Sequence, residues 1–209
     1  MASKTDIANR ALSKLGDIRV SNVDLDDSKA ARAMRARFDF LRDAELEAHP
    51  WRFAIKRDEL PALVDAPAWG YARAYQIPAD AHRIITIGDM AVNVETLGVQ
   101  YQVSTGYNPS QAAYEIIGDQ IQTDLTAPLK VEYIRRVENT GEFTALFVEA
   151  LASRMAMDAA EELTQSDSKK QFAAGDYKEA ITEARRINAI QRPPGERVPG
   201  RWLMSRYNA

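Results

Sequence analysis

The chain has 209 residues, 45% of them hydrophobic and 27% charged, with 30 acidic side chains against 27 basic ones and a net charge of −3. That length suits one well-filled core, or a main domain with a smaller one inserted. The acidic balance weighs against a dedicated nucleic-acid binder, and the absence of cysteine removes disulfides, thiolate metal sites and a cysteine nucleophile.

The opening residues, Met1-Ala-Ser-Lys-Thr-Asp6, contain no apolar run of the kind a signal peptide needs, and no later stretch approaches about 18 uninterrupted apolar residues. The chain reads as one made in the cytoplasm, with no membrane partner. Ser3 and Asp6 have the spacing of an N-terminal capping box. Ile7, Ala8, Ala11, Leu12 and Leu15 then fall on one helical face, and Gly16 stands where a left-handed C-terminal cap belongs. In the loop that follows, Ile18, Val20, Val23 and Leu25 are expected to tuck inwards. Asp24, Asp26 and Asp27 resemble the start of a calcium loop but lack its glycine and distal glutamate, so acids gathered at a helix N-terminus are the simpler reading.

A second helix is predicted over 28–48, with Ala31, Met34, Phe38 and Leu41 as its apolar stripe. Arg32, Arg35, Arg37 and Arg42, interleaved with Asp39, Asp43, Glu45 and Glu47, read as a solvated face that a neighbouring subunit could also meet. His49-Pro50-Trp51-Arg52-Phe53-Ala54 ends this helix. Pro50 lacks the N–H and pushes His49 out of the α region, while Trp51 and Phe53 alternate with Arg52 in a period of two. His49, Pro50, Trp51 and Phe53 therefore form a structural hinge, with the His49 imidazole placed to satisfy final carbonyls.

Pro61, Pro67 and Gly70 mark residues 54–71 as a linker. Strand character follows at 82–87, 99–103, 113–117, 120–123 and 129–137, with Gly118-Asp119 suited to a two-residue hairpin turn. Helical periodicity returns with Phe143, Leu146, Phe147, Ala150, Leu151, Met155, Ala159 and Leu163, rich in small residues that let helices approach closely. A polar break at 164–168 leads to a last helix over about 168–190, with Phe172, Tyr177, Ala180, Ile181, Ala184 and Ile187 facing inwards; so short a break implies an antiparallel pair. Arg192-Pro193-Pro194-Gly195 stops it. The remaining segment carries Arg201, Trp202, Leu203, Met204, Arg206 and Tyr207, too apolar for a disordered tail, and either folds back on its own core or docks on a partner.

The fold class expected is α+β, mainly α: an antiparallel bundle of about four helices with a small inserted antiparallel β domain and an extended C-terminal arm. The boundaries are 1–60 for the first two helices, 61–140 for the β-rich insertion, 141–191 for the last two helices and 192–209 for the arm. Catalytic vocabulary is sparse. His49 and His82 belong to no metal-binding spacing, and no phosphate cradle or nucleophile elbow occurs. Glu161-Glu162 and the Asp24–Asp27 group are the acidic pairs, and any globular protein offers such pairs. Arg135-Arg136 suits either a phosphate contact or a guarded strand edge. No catalytic residue, metal site or cofactor is assigned, and a non-enzymatic role is expected.

The order of these segments resembles the tail tubular protein A family, the head-to-tail adaptors (connectors) of short-tailed, podovirus-type bacteriophages. Four places carry the likeness: the helix Ile7-Ala8-Asn9-Arg10-Ala11-Leu12-Ser13-Lys14-Leu15-Gly16; His49-Pro50-Trp51-Arg52-Phe53-Ala54 followed by Arg57-Asp58-Glu59-Leu60; Val131-Glu132-Tyr133-Ile134 followed by Phe143 and the alanine-rich helix to Leu163-Thr164; and Arg201-Trp202-Leu203. The resemblance implies a structural virion protein that forms a ring, usually of twelve copies, beneath the portal protein. Such a ring prolongs the DNA channel without binding the DNA specifically, and it offers a platform for a tubular protein B-like tail nozzle and, in some phages, tail fibres. It further implies that Arg201, Trp202, Leu203, Met204, Arg206 and Tyr207 engage the portal or a neighbouring subunit. The alternative is a tail-associated peptidoglycan hydrolase using a carboxylate pair, and a third reading is a helical binding module outside any phage.

Overall fold

The computed structural model describes residues 2–88, 90–91 and 114–191. The expected strand at 99–103 and the C-terminal residues Arg201, Trp202, Leu203, Met204, Arg206 and Tyr207 lie outside the described residues.

Side-chain caps set the helix starts. Helix α1 (Lys4–Leu15) begins at Ser3, whose hydroxyl accepts from the Asp6 N–H while the Asp6 carboxylate accepts from the Ser3 N–H; Gly16 closes it at φ +67°. Helix α2 (Lys29–Ala48) is capped by Ser28, α3 (Ala145–Thr164) by Thr144 and α4 (Asp167–Ile190) by Ser166. Partner order gives the directions. Lys29 reaches the Glu162 carbonyl, Arg37 reaches Asp158 and Glu162, and Glu45 reaches Arg154, so α2 and α3 run oppositely. Lys170 with Glu161 and Tyr177 with Arg154 give the same relation for α3 and α4, the antiparallel pair expected from the short break between them. Helix α3 packs against the other three, and its buried Ala150, Ala152, Ala156, Ala159 and Ala160 permit the close approach.

The β part comprises β1 (Ile55–Leu60), β2 (Arg73–Gln76), β3 (Ala81–Ile87), β4 (Met90–Ala91), β5 (Tyr114–Ile117), β6 (Gln120–Thr123) and β7 (Leu129–Arg135). They make two antiparallel sheets, ordered β1-β7-β3-β4 and β2-β6-β5. Leu60, Ile84, Ile87, Leu129, Val131 and Tyr133 of the first sheet share a core with Tyr75 and Ile121 of the second. Because strand side chains alternate, Ile134 turns the other way and joins the helical core. Strand β7 thus welds the sheets to the helices. The architecture is α+β and mainly α.

Several local expectations need correction. A strand, β1, occupies part of the supposed linker; its Lys56, Arg57, Asp58 and Glu59 are all exposed, so it is held by ladder bonds to β7 rather than by an apolar face. Residues Arg52–Ala54 form a 3₁₀ turn, not a period-two extended run. In the first loop Val20 and Val23 are buried, whereas Ile18 and Leu25 point out, each more than 80% exposed. Phe172, expected inside, is 76% exposed in the first turns of α4. The 118–119 hairpin is present, with Gly118 at φ +61° and Asp119 outside the left-handed region, the pattern of a turn with glycine first.

Candidate functional site

The hinge residues meet where α2, α4 and the first sheet come together. Trp51 is buried, and its indole N–H donates to the Glu45 carbonyl at 2.7 Å. That carbonyl belongs to the last turn of α2, so the indole donor closes the end of the helix from outside it. The sequence reading gave this task to the His49 imidazole; the structure assigns it to Trp51. His49 instead meets Trp51 edge-on at 4.8 Å between ring centres. Phe53, Phe143 and Phe147 complete the cluster, with Phe147 5.0 Å from Trp51, 5.1 Å from Phe53 and 4.9 Å from Phe143 in edge-on contacts.

One side chain of α4 locks this turn. Asn188 Oδ1 accepts the Arg52 N–H at 2.9 Å, and its Nδ2 donates to the Pro50 carbonyl at 3.0 Å and to His49 Nε2 at 2.9 Å. His49 can accept there only when neutral. Burial, and after it the positive charges of Arg185 and Arg83, hold its pKa down to about 4, with Glu45 opposing them.

Beneath the hinge lies a charge network that no spacing in the sequence reveals. Glu45 is fully buried, and its Oε1 takes both the Arg154 guanidinium and the Tyr177 hydroxyl, the latter at 2.5 Å. Burial and then the Glu45 carboxylate raise the Tyr177 pKa. Among the described residues Glu45 Oε2 and the Ser153 hydroxyl have no hydrogen-bond partner. A second network joins helices to sheet. Arg42, expected on the solvated face, is 3% exposed and lies between Asp39 and Asp43, while Asp43 also takes Arg136 at 2.9 Å. Burial pushes the Asp43 carboxyl up, but Arg42 and Arg136 outweigh it and hold it below the ordinary range.

The remaining candidates are engaged inside the fold. Arg135 pairs with Glu142, so neither arginine of Arg135-Arg136 is without a carboxylate partner. Glu161 is paired with Lys170, which holds its carboxyl low, and Glu162 with Arg37. A general acid needs a raised carboxyl, which Glu161 does not have. Asp24 pairs with Lys4, Asp27 with Arg32, and Asp26 accepts the Ser28 N–H. His82 lies 3.6 Å from Asp43. Among the described residues no three His, Asp or Glu side chains gather as a metal site, and no helix is long and apolar enough to cross a membrane. Arg154 and Asn188 were missed by sequence reasoning, Glu45 was expected on a solvated face, and Tyr177 was expected inside but not as a partner of Glu45; separations of 109 and 139 residues carry no local signal. Compared with known proteins, the chain matches no family model and no curated sequence.

Proposed function

We propose that this chain is a head-to-tail adaptor of a short-tailed phage: a helix bundle carrying a β-rich insertion and a C-terminal arm, assembled as a ring under the portal protein. The ring extends the DNA channel and seats the tail nozzle and fibres. The observation that carries the reading is the order of elements. A capped helix, a second helix ending in His49-Pro50-Trp51-Arg52-Phe53-Ala54, a set of antiparallel strands and a final helix pair follow one another as the resemblance leads one to expect. The hinge residues that mark the likeness are also those that join α2, α3 and the first sheet.

The chemistry suits the role. Heterologous contact between two different faces closes a ring. Many charged side chains are spent on contacts inside the chain, such as Arg10 and Lys14 with Glu149. A net charge of −3 suits a channel that DNA slides through, since holding phosphates requires a surplus of lysine and arginine. In the arm, Trp202 and Leu203 would anchor on the portal or a neighbour, with Arg201, Met204, Arg206 and Tyr207 around them.

The test is the mass of the purified chain by light scattering, alone and with the portal ring of the same genome. The expected result is a chain that joins the portal in multiple copies. Two species that elute unchanged when mixed overturn the reading.

A further inference from the structure

A cleft of about 960 Å³ lies between the two sheets, a size in the range of clefts that hold ligands. Leu60, Ile77, Ile84 and Ile116 give it apolar walls, and Ile116 is 41% exposed. Three exposed carboxylates, Asp58, Glu59 and Asp119, also line it, against a single guanidinium, Arg83. Among the described residues none of the three acids lies within ion-pair distance of a lysine or arginine. Asp58 accepts the Glu59 N–H at 3.0 Å, and Asp119 accepts from the Gln76 amide at 2.8 Å. Such a lining favours large apolar side chains flanked by positive charge, and it repels the phosphates of a nucleic acid.

The chain carries a segment of that description. In Arg201-Trp202-Leu203-Met204-Ser205-Arg206 three large apolar side chains stand between two arginines, with no acid among them. The segment lies outside the described residues, but the point from which it departs does not. Helix α4 ends at the hinge, where Asn188 holds the Arg52 N–H and the Pro50 carbonyl. Just beyond the hinge, Ile55 of β1 stands opposite Ile134 of β7, which on its other side stands opposite Arg83 of β3. Two strand spacings of about 4.8 Å put the Arg83 end of the cleft roughly 10 Å from Ile55, and the rise along β1 puts Leu60 roughly 17 Å from it. From Gln191 to Trp202 the chain spans about 34 Å at polyproline II rise. That length reaches either end of the cleft.

We propose that in the free chain the segment 201–206 folds back into this cleft, Trp202, Leu203 and Met204 covering its apolar walls and the two arginines meeting Asp58, Glu59 and Asp119. The tether favours the chain's own cleft over that of a second copy. A short linker holds its end at an effective concentration of millimolar order, well above that of a purified protein in dilute solution. The inference goes beyond the adaptor reading and does not rest on it. Within that reading, a portal or neighbour has to draw the arm out of the cleft before using it.

Because the chain has no cysteine, a pair of introduced thiols reports the contact directly. The full-length chain with Ile116→Cys and Met204→Cys is treated with a short bis-maleimide over a concentration series. The expected product is an internally linked monomer whose yield does not change on dilution, as a tethered contact requires. Ile117 leaves β5 on the opposite face and lines a separate pocket with Trp69, so Ile117→Cys with Met204→Cys should link far less. Reversing the arm's charges, Arg201→Glu with Arg206→Glu, should cut the Ile116 yield about tenfold, and adding Asp119→Lys should restore part of it. A nitroxide on Met204→Cys alone leaves the cleft untouched, and should broaden the amide signals of Ile77, Ile116 and Gly118 while sparing those of α1. Linkage only between chains, rising with concentration, assigns the cleft to a neighbour's arm and overturns the inference. Equal linkage to Ile117, indifference to the charge reversals, or cleft signals left sharp by the nitroxide overturn it as well. Every one of these measurements uses the chain alone, so mixing with the portal ring tests the adaptor reading separately.

Discussion

Replacing Arg154 by methionine tests whether the buried Glu45 network is a fixed part of the fold. Glu45 has no exposed surface, and Arg154 is about a quarter exposed. Methionine fills most of the space of the arginine stem but removes the charge, leaving a buried carboxylate with the Tyr177 hydroxyl on Oε1 and nothing on Oε2. Breaking one side of such a pair costs about 3–5 kcal/mol, more than an exposed ion pair is worth. For a chain of this size that lowers Tm by roughly 6–20 °C. The assay is urea unfolding followed by far-UV circular dichroism, run on Arg154→Met and on the double variant Glu45→Gln with Arg154→Met. Glutamine removes the stranded charge while keeping an acceptor for Tyr177, so the double variant should regain more than half of the loss. A single variant within about 1 kcal/mol of wild type, or a double variant no better than the single, refutes the argument.

Other outcomes follow from the hinge. Trp51→Ala removes a buried ring and uncaps the Glu45 carbonyl, and should cost about 3–5 kcal/mol in the same unfolding assay; Trp51→Phe keeps most of the packing and should cost about 1–3 kcal/mol for the lost indole donor. His49 is held neutral in the fold with a pKa near 4, below its ordinary 6.5, so the unfolded chain binds the extra proton first. Its contribution is therefore complete above pH 6.5 and is lost as pH falls from 6.5 towards 4. Taken at face value that displacement is roughly 3 kcal/mol, and for a half-buried ring solvent screening brings it to about 1–2 kcal/mol. Stability measured between pH 7 and 4.5 should fall less steeply for His49→Gln than for wild type. Deleting residues 193–209 should leave Tm within a few degrees of wild type while abolishing portal binding in a co-sedimentation assay; undiminished binding removes the arm from the proposal.

The helices were legible because their signals are local. The Ser3–Asp6 box, Gly16, the stripe through Met34 and Phe38, and the alanine-rich face of α3 each state their structure within a few residues. Strand β1 was not, because Ile-Lys-Arg-Asp-Glu-Leu has an edge strand's polarity, and only its ladder with β7, far along the chain at Leu129–Arg135, makes it a strand. Arg42 and Glu45 looked solvated for a related reason: a helical wheel does not show that Arg136 comes in on Asp43 beside Arg42, or that Arg154 and Tyr177 come in on Glu45, from other elements. Leu25 and Phe172 erred in the opposite sense, since apolarity alone does not say whether a neighbour in the same chain will reach a side chain. Of the hinge, its place and its aromatic residues were readable. Asn188, which closes it, was not.

The helical core is built from two separated stretches of chain, with Lys4–Ala48 on one side of the strands and Ala145–Ile190 on the other. During synthesis the first pair of helices must wait for α3, the element against which both are buried. About a hundred residues intervene, which at ordinary translation rates of about 5–20 residues per second is roughly 5–20 s. For that interval the apolar faces of α1 and α2, Ile7, Leu12, Met34 and Phe38 among them, are without their main cover. A chaperone that holds nascent helices has its window here, and a synonymous slowing of translation between residues 49 and 144 would lengthen it.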